Sequence, residues 1–292
     1  MRKRWLCILA AILMLQAAAS AQDGTMPARV MQVGEVYRIR TDRKGEWTSD
    51  APDVASVSGD GLVTAMGEGE AALSLRSGKK ILLRFLVDVT TEPPVPDSIR
   101  RAIDLALQEW EEFRGKAIAR SNKYTAWYYG PKASFGWCGA FTAFALDQAG
   151  VPQAPTDTYR KLKPLTDGSP YAVREAAVPK LLTGFSNLDR ISNLPRPGYL
   201  VIYGRRGGYG TVHVGLVTRS EHRGGGVYLL ETVEGNLASR IKRLSFLYDS
   251  NAADPMRNML LLPEDQQILP DVFQYPLSSE EWRITAFAQT WY

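Results

Sequence analysis

The sequence predicts a small all-β sandwich followed by an α+β domain in which helices cover an antiparallel sheet. Short stretches from Val33 to Val89 alternate between apolar and polar residues, and turn-forming glycines separate them. A proline-rich stretch interrupts the chain at 91–97. Beyond it, apolar residues first recur at helical spacing and later alternate with the period of strands. We therefore expect two domains joined by a linker.

Residues 1–21 are expected to be a signal peptide. Three basic residues precede an apolar run from Trp5 to Ala19, and Ala19-Ser20-Ala21 is a small-residue cleavage pattern. The run is shorter than the roughly 20 residues that span a bilayer, although an uncleaved anchor is an alternative. We expect a secreted or cell-envelope protein with no membrane span after cleavage.

Charge and composition narrow the possible partners. The formal net charge of +4 falls to +1 without the three basic residues of the leader. A nucleic-acid-binding protein would need a clustered basic face, and the sequence has only short basic clusters such as Lys79-Lys80. We therefore expect no nucleic-acid partner. The oligomeric state stays open.

The first domain is predicted over residues 29–90, and four of its strings share a pattern. They are Trp47-Thr48-Ser49-Asp50, Val54-Ala55-Ser56-Val57, Gly61-Leu62-Val63-Thr64-Ala65 and Gly69-Glu70-Ala71. This order resembles the W-S-S-x, V-A-S-V, G-x-V-T-x and G-x-A pattern of the bacterial Ig-like group 2 module. The resemblance implies an Ig-like sandwich that serves as a spacer or adhesive segment, with no catalytic residue.

The linker at 91–97 leads into a predicted helix. Its apolar residues lie near the helical period up to about Phe113, and Asp97 or Ser98 is the expected cap. The second domain is predicted to begin at residue 98.

Cys138 is the candidate nucleophile of the second domain. It is the one cysteine outside the leader, and it opens a predicted helix that ends near Ala149-Gly150. A lone cysteine in an exported protein indicates a free thiol, because oxidising compartments favour paired cysteines. The positive end of a helix favours the thiolate. The alternative is a small buried apolar residue.

His213 is the candidate base. It opens the predicted strand Val212–Val217, whereas His222 lies in a charged, glycine-rich turn. A histidine there can point into a cleft and accept the thiol proton; the alternative is a histidine held by a neighbour. Two histidines and one cysteine outside the leader are too few for a Cys/His zinc site, so no metal is expected.

Glu234 and Asn236 are the candidates to orient His213. They end the next predicted strand, Val227–Asn236, and share its face if the strand continues through Gly235. We favour Glu234 as the direct partner, with Asn236 secondary. A simple strand-end turn is the alternative.

The ordered combination of these strings is similar to the CHAP family of cysteine, histidine-dependent amidohydrolases/peptidases. The strings are Tyr124–Gly130, Trp137-Cys138-Gly139-Ala140-Phe141, Pro197–Val201, His213-Val214-Gly215-Leu216-Val217 and Glu234-Gly235-Asn236. The resemblance covers residues 98–263 and implies a papain-like, NlpC/P60-like fold. It places the catalytic set on Cys138, His213, Glu234 and Asn236. It implies peptidoglycan as substrate and no organic cofactor.

Three parts of the chain depart from the family pattern. Gly139 stands where the family often has alanine, the insert at 156–194 is long, and the extension at 264–292 has no counterpart. The roles of the insert and the extension stay open.

Aromatic residues near Cys138 are predicted to line a substrate groove, with core packing as the alternative. They are Trp137, Tyr129 and Tyr128. The favoured function is a cell-wall hydrolase, an N-acetylmuramoyl-L-alanine amidase or endopeptidase. The alternatives are a non-catalytic peptidoglycan-binding surface protein and an acyl transferase.

Overall fold

The computed structural model describes residues 25–92, 94–165, 167–205, 210–260, 262, 273–274 and 282–292. The chain divides into two compact units, residues 1–93 with 166–168 and residues 94–165 with 169–292. The predicted signal peptide at 1–21 lies outside the described residues. No helix within the described ranges is long and apolar enough to cross a membrane.

The first unit is built from seven described strands in two sheets. They are β1 (Thr25–Gln32), β2 (Val36–Arg38), β3 (Glu46–Ser49), β4 (Ala55–Val57), β5 (Leu62–Ala65), β6 (Gly69–Ser77) and β7 (Lys80–Thr90). One sheet has the order β1-β7-β6-β3 and the other β2-β5-β4. Trp47 and Leu73 of the first sheet share one buried cluster with Tyr37 and Val63 of the second. The alternating pattern therefore produces a sandwich whose inner faces form the core.

The second unit contains four described α-helices. They are α1 (Asp97–Glu112), α2 (Lys123–Tyr129), α3 (Cys138–Gln148) and α4 (Val178–Asn187). Helix α1 begins at Asp97, one residue before the prediction allowed. Its N-cap is Pro96, and among the described residues no side chain caps it. Most of α3 is buried, from Cys138 to Leu146, so it is the central helix of the unit.

The strands of the second unit form one large sheet and a small pair. They are β8 (Gln153–Ala154), β9 (Ala172–Val173), β10 (Ile191–Ser192), β11 (Leu200–Arg205), β12 (Thr211–Gly224), β13 (Val227–Glu234), β14 (Lys242–Asp249), β15 (Met259–Leu260), β16 (Phe273–Gln274) and β17 (Trp282–Ala288). The sheet order is β10-β17-β11-β12-β13-β14-β15, with β16 beside β14 and β8 paired with β9. Strands β10 to β15 and β17 pair antiparallel, whereas β16 runs parallel to β14. This is the mixed α+β class that the sequence predicted.

Strand β17 corrects the prediction that residues 264–292 are an extension outside the second domain. It lies between β10 and β11 inside the sheet, and Phe287 on it is fully buried. The last two residues, Trp291 and Tyr292, are buried as well. This part of the tail therefore belongs to the core of the second unit.

Phe287→Ala should lower the free energy of unfolding of the second unit by about 3–5 kcal/mol, because it removes a fully buried ring that packs on Tyr248. Urea unfolding followed by tryptophan fluorescence measures this, since five of the seven tryptophans belong to this unit. Tyr129→Ala, at a residue that is 57% exposed, is the control and should cost far less. A loss below about 1 kcal/mol for Phe287→Ala would show that the tail is peripheral.

Candidate active site

Cys138 is the first residue of α3 and is 8% exposed. Trp137 is the N-cap, and among the described residues no side chain caps the helix. The first N–H groups of α3 are therefore not occupied by a capping side chain, and their partial positive charge lies beside the thiol.

The close packing around residue 139 explains why a glycine follows Cys138. A β-carbon at this position would lie 2.5 Å from the carbonyl oxygen of Ala176 and 2.8 Å from that of Glu175. Both contacts are with backbone, which cannot swing aside. The chain just before α4 can therefore approach the start of α3 only because residue 139 has no side chain.

His213 lies near the start of β12, directly opposite Tyr203 on β11, and is 5% exposed. Its Nε2 is 2.6 Å from Oε2 of Glu234. The N–H of Nε2 is poorly aligned on that oxygen, so we describe the contact as an ion pair rather than a full hydrogen bond. Since Nε2 faces the carboxylate, Nδ1 is the nitrogen left for the thiol.

Glu234 is the last residue of β13, and its side chain is completely buried. Its Oε1 accepts a hydrogen bond of 2.5 Å from the Tyr203 hydroxyl and one of 2.7 Å from the Thr232 hydroxyl. A buried carboxylate needs such donors, because leaving water without them costs several kcal/mol. With Oε1 held by two hydroxyls, Oε2 is the oxygen that faces His213.

Gly215 provides the space for this carboxylate. Leu216 pairs with Val233, so Gly215 stands opposite Glu234 one step along the ladder. A β-carbon on Gly215 would lie 2.7 Å from the carboxyl carbon of Glu234. The glycine thus allows the carboxylate to lie over the backbone of β12, on the face that carries His213.

The pKa values of the thiol and the imidazole move in opposite directions. Burial raises the pKa of the Cys138 thiol, but the hydrogen bond and charge of His213, with the backbone N–H groups of Gly139 and Val214, outweigh it and lower this pKa from its ordinary 9.0. Burial lowers the pKa of His213, but the charge of Glu234, the hydrogen bond with Cys138 and the close contact of Nε2 with the Glu234 carboxylate raise it from 6.5 to about 10. Both shifts favour a thiolate–imidazolium pair at neutral pH.

Asn236 lies outside β13, because that strand ends at Glu234. It has a φ of 62° in a turn that also contains Ala238 and Ser239 at positive φ. The expected shared strand face with Glu234 is therefore not formed. The amide nitrogen of Asn236 instead lies beside Gly136, 3.5 Å from where a β-carbon of that glycine would be. Asn236 thus faces the segment before Cys138, in the same cleft as the thiol.

Cys138 and His213 open into a cleft of about 570 Å³. Its walls come from the start of α3, the start of α4, the turn after β13, and strands β11, β12 and β17. The lining residues are Gly136, Cys138, Ala176, Val178, Pro179, Arg205, Thr211, Val212, His213, Asn236, Leu237, Ala238 and Trp282. Part of the predicted insert at 156–194 therefore forms one wall.

The aromatic residues predicted to contact substrate do not line this cleft. Trp137 is completely buried, where it stacks on Tyr124 at 5.2 Å. Tyr128 is also buried, and its hydroxyl donates to the carbonyl of Arg174 and accepts from the N–H of Ala176. Tyr129 is exposed, against Tyr128. Trp137 and Tyr128 therefore belong to the core, which is the alternative that the sequence left open.

Three residues that contact the site were missed in the sequence. Tyr203 and Thr232 hold Glu234, and the Trp282 ring lies 5.4 Å from the His213 ring. Thr232 precedes Glu234 by two residues, so strand periodicity could have placed both on one face. Trp282 begins the alternating stretch Trp282-Arg283-Ile284-Thr285-Ala286, which could have been identified as a strand.

Metal ligands are not grouped anywhere in the part of the chain that the structure describes. No three side chains of His, Cys, Asp or Glu lie together there as a metal ion would require.

Comparison with known families gives a match in the first unit. Residues 16–80 match the model of the bacterial Ig-like domain (group 2), which confirms the prediction for this part of the chain. The match begins earlier than the predicted 29 and ends where β7 starts, whereas β7 continues to Thr90. No CHAP model matches the chain. No curated protein and no solved structure matches it either.

Tyr203→Phe should move the pH dependence of Cys138 alkylation by iodoacetamide to higher pH, by about half to one unit. A hydrogen bond to a charged group contributes about 1.5–3 kcal/mol. The expected shift is smaller than this range implies, because the Thr232 hydroxyl still donates to Oε1 of Glu234. Without the Tyr203 hydroxyl, Oε1 keeps one of its two donors, so the carboxylate is held less firmly against His213. It then supports the imidazolium less, so the pKa of the thiol rises.

The control for this experiment is Tyr248→Phe, which removes another buried hydroxyl of the same sheet, one that donates to the carbonyl of Asn193. Both variants carry Cys7→Ser, so that Cys138 is the single thiol. A Tyr203→Phe profile that superimposes on that of the parent would contradict the role assigned to this hydroxyl.

Proposed function

We propose that the second unit is a cysteine amidohydrolase or peptidase of the CHAP kind that cleaves amide bonds of peptidoglycan. The observation that carries this proposal is the chain of three groups Cys138, His213 and Glu234 at the edge of a cleft. A thiol at a helix start, a raised imidazole pKa and an enclosed carboxylate form the arrangement that a cysteine nucleophile needs.

The chemistry follows from the charge state of the pair. The Cys138 thiolate attacks the amide carbonyl carbon, and the resulting tetrahedral intermediate collapses as the imidazolium of His213 donates its proton to the leaving amine. The acyl group is then bound to sulfur as a thioester. Neutral His213 next takes a proton from water, hydroxide adds to the thioester, and the thiolate leaves with the acid product released.

The negative oxygen of the tetrahedral intermediate has nearby donors. The backbone N–H of Cys138 begins α3 and has no capping side chain among the described residues. The amide of Asn236 lies on the same side of the cleft, next to Gly136. We assign Asn236 to this side of the site instead of to His213, because Glu234 already faces Nε2.

Peptidoglycan is proposed from two features of the chain. The ordered strings around Cys138, His213 and Glu234 are similar to those of CHAP enzymes, whose substrate it is. The first unit matches a bacterial Ig-like domain, a kind of module found on exported proteins. Together with the predicted leader at 1–21, these features support action in the cell envelope or outside the cell.

The test is release of new amino groups from purified peptidoglycan by the chain and by its Cys138→Ala variant. We expect release by the parent and a loss of at least about 10³-fold in the variant, because the nucleophile is removed. Mass analysis of the fragments then identifies the bond. If neither protein releases amino groups but both sediment with the wall, the enzyme proposal fails and a binding protein takes its place.

A further inference from the structure

Arg205 differs from the other described residues that line the cleft. The thiolate of Cys138 and the imidazolium of His213 offset each other, Arg205 carries the remaining charge among these lining residues, and none of them is Asp or Glu. Glu234 does not offset it, because that carboxylate is sealed behind His213 with no exposed surface. The cleft surface is therefore mainly apolar, with a positive edge at Arg205.

Arg205 also has no carboxylate partner of its own within the described residues, although many arginines of this unit do. Arg219, Arg243 and Arg257, for example, lie against acidic side chains. Arg205 is exposed at the end of β11 and pairs across the strands with Trp282 of β17. Its donors are free to bind a ligand, and arginine presents them in the fork that matches a carboxylate.

Trp282 links this guanidinium to the reacting groups. It is the cross-strand neighbour of Arg205, and its ring lies 5.4 Å from the rings of both His213 and Tyr203. A ligand that contacts Arg205 would therefore lie over an aromatic surface that continues to the imidazole.

We propose that Arg205 and Trp282 form a subsite for a carboxylate on the substrate, close to the bond that Cys138 attacks. Arg205 binds the carboxylate and Trp282 covers the adjoining aliphatic chain. The inference deepens the proposed function, since it selects acidic peptides over neutral ones. It depends on the cleft and the thiol, but its test does not depend on hydrolysis.

The test compares two thiol reagents that differ in one group, N-iodoacetylglycine and its neutral amide. Each alkylates Cys138 in the full chain carrying Cys7→Ser, and the ratio of the two rate constants measures the preference for a carboxylate. Arg205→Gln should lower this ratio by about two- to fivefold, the range expected for an exposed ion pair. Higher salt should reduce the ratio of the parent and leave that of the variant nearly unchanged.

The matched control is Arg223→Gln, which removes the same charge near the other end of β12, where Arg223 lies against Glu221. It should leave the ratio unchanged. An unchanged ratio in Arg205→Gln, or an equal fall in both variants, would overturn the subsite. Because alkylation needs only the thiol, a protein that cuts no peptidoglycan can still pass this test, and the two proposals fail separately.

Discussion

The enclosed carboxylate of Glu234 is the group on which the rest of the site depends. Removing a carboxylate from water is costly, so the fold must surround it with donors. Those donors come from three neighbouring strands: Tyr203 on β11, His213 on β12 and Thr232 on β13. The register of these three strands is therefore constrained by the single charge of Glu234. A slip of one residue in any of these strands would turn a donor to the opposite face.

The same charge sets the state of the thiol. Glu234 holds His213 protonated, and the imidazolium in turn stabilises the thiolate of Cys138. Helix α3 must then bring its first residue, Cys138, against β12, and the small residues of the site allow this. Gly139 admits the backbone of residues 175–176, and Gly215 admits the carboxylate. Glycine is needed at both positions because a β-carbon would clash with its neighbours. The backbone conformation does not require it, since neither glycine has a positive φ.

The sequence was sufficient for features that depend on local pattern. Periodicity located α1, α3 and β13 closely, and the scarcity of Cys and His made Cys138 and His213 prominent. Strand β12 is longer than predicted: it continues past Val217 to Gly224, so His222 lies in the strand and pairs with Tyr228 instead of lying in a turn. The sequence was not sufficient for contacts between distant segments. Strand β17 pairs with β11, which lies about 80 residues earlier in the sequence, and no local pattern predicts that pairing. Aromatic residues at helical spacing are equally compatible with a groove or a core, and Trp137 belongs to the core.

Nitrogen NMR of the two imidazole rings over a pH series measures directly whether Glu234 keeps His213 protonated. His222→Gln assigns the signals, since His222 is the one other histidine of the chain. We expect His213 to stay protonated through neutral pH and to lose its proton only near pH 10, and we expect Glu234→Gln to bring this titration down. A His213 ring that is already neutral at pH 7 in the parent chain would show that Glu234 does not hold the imidazolium.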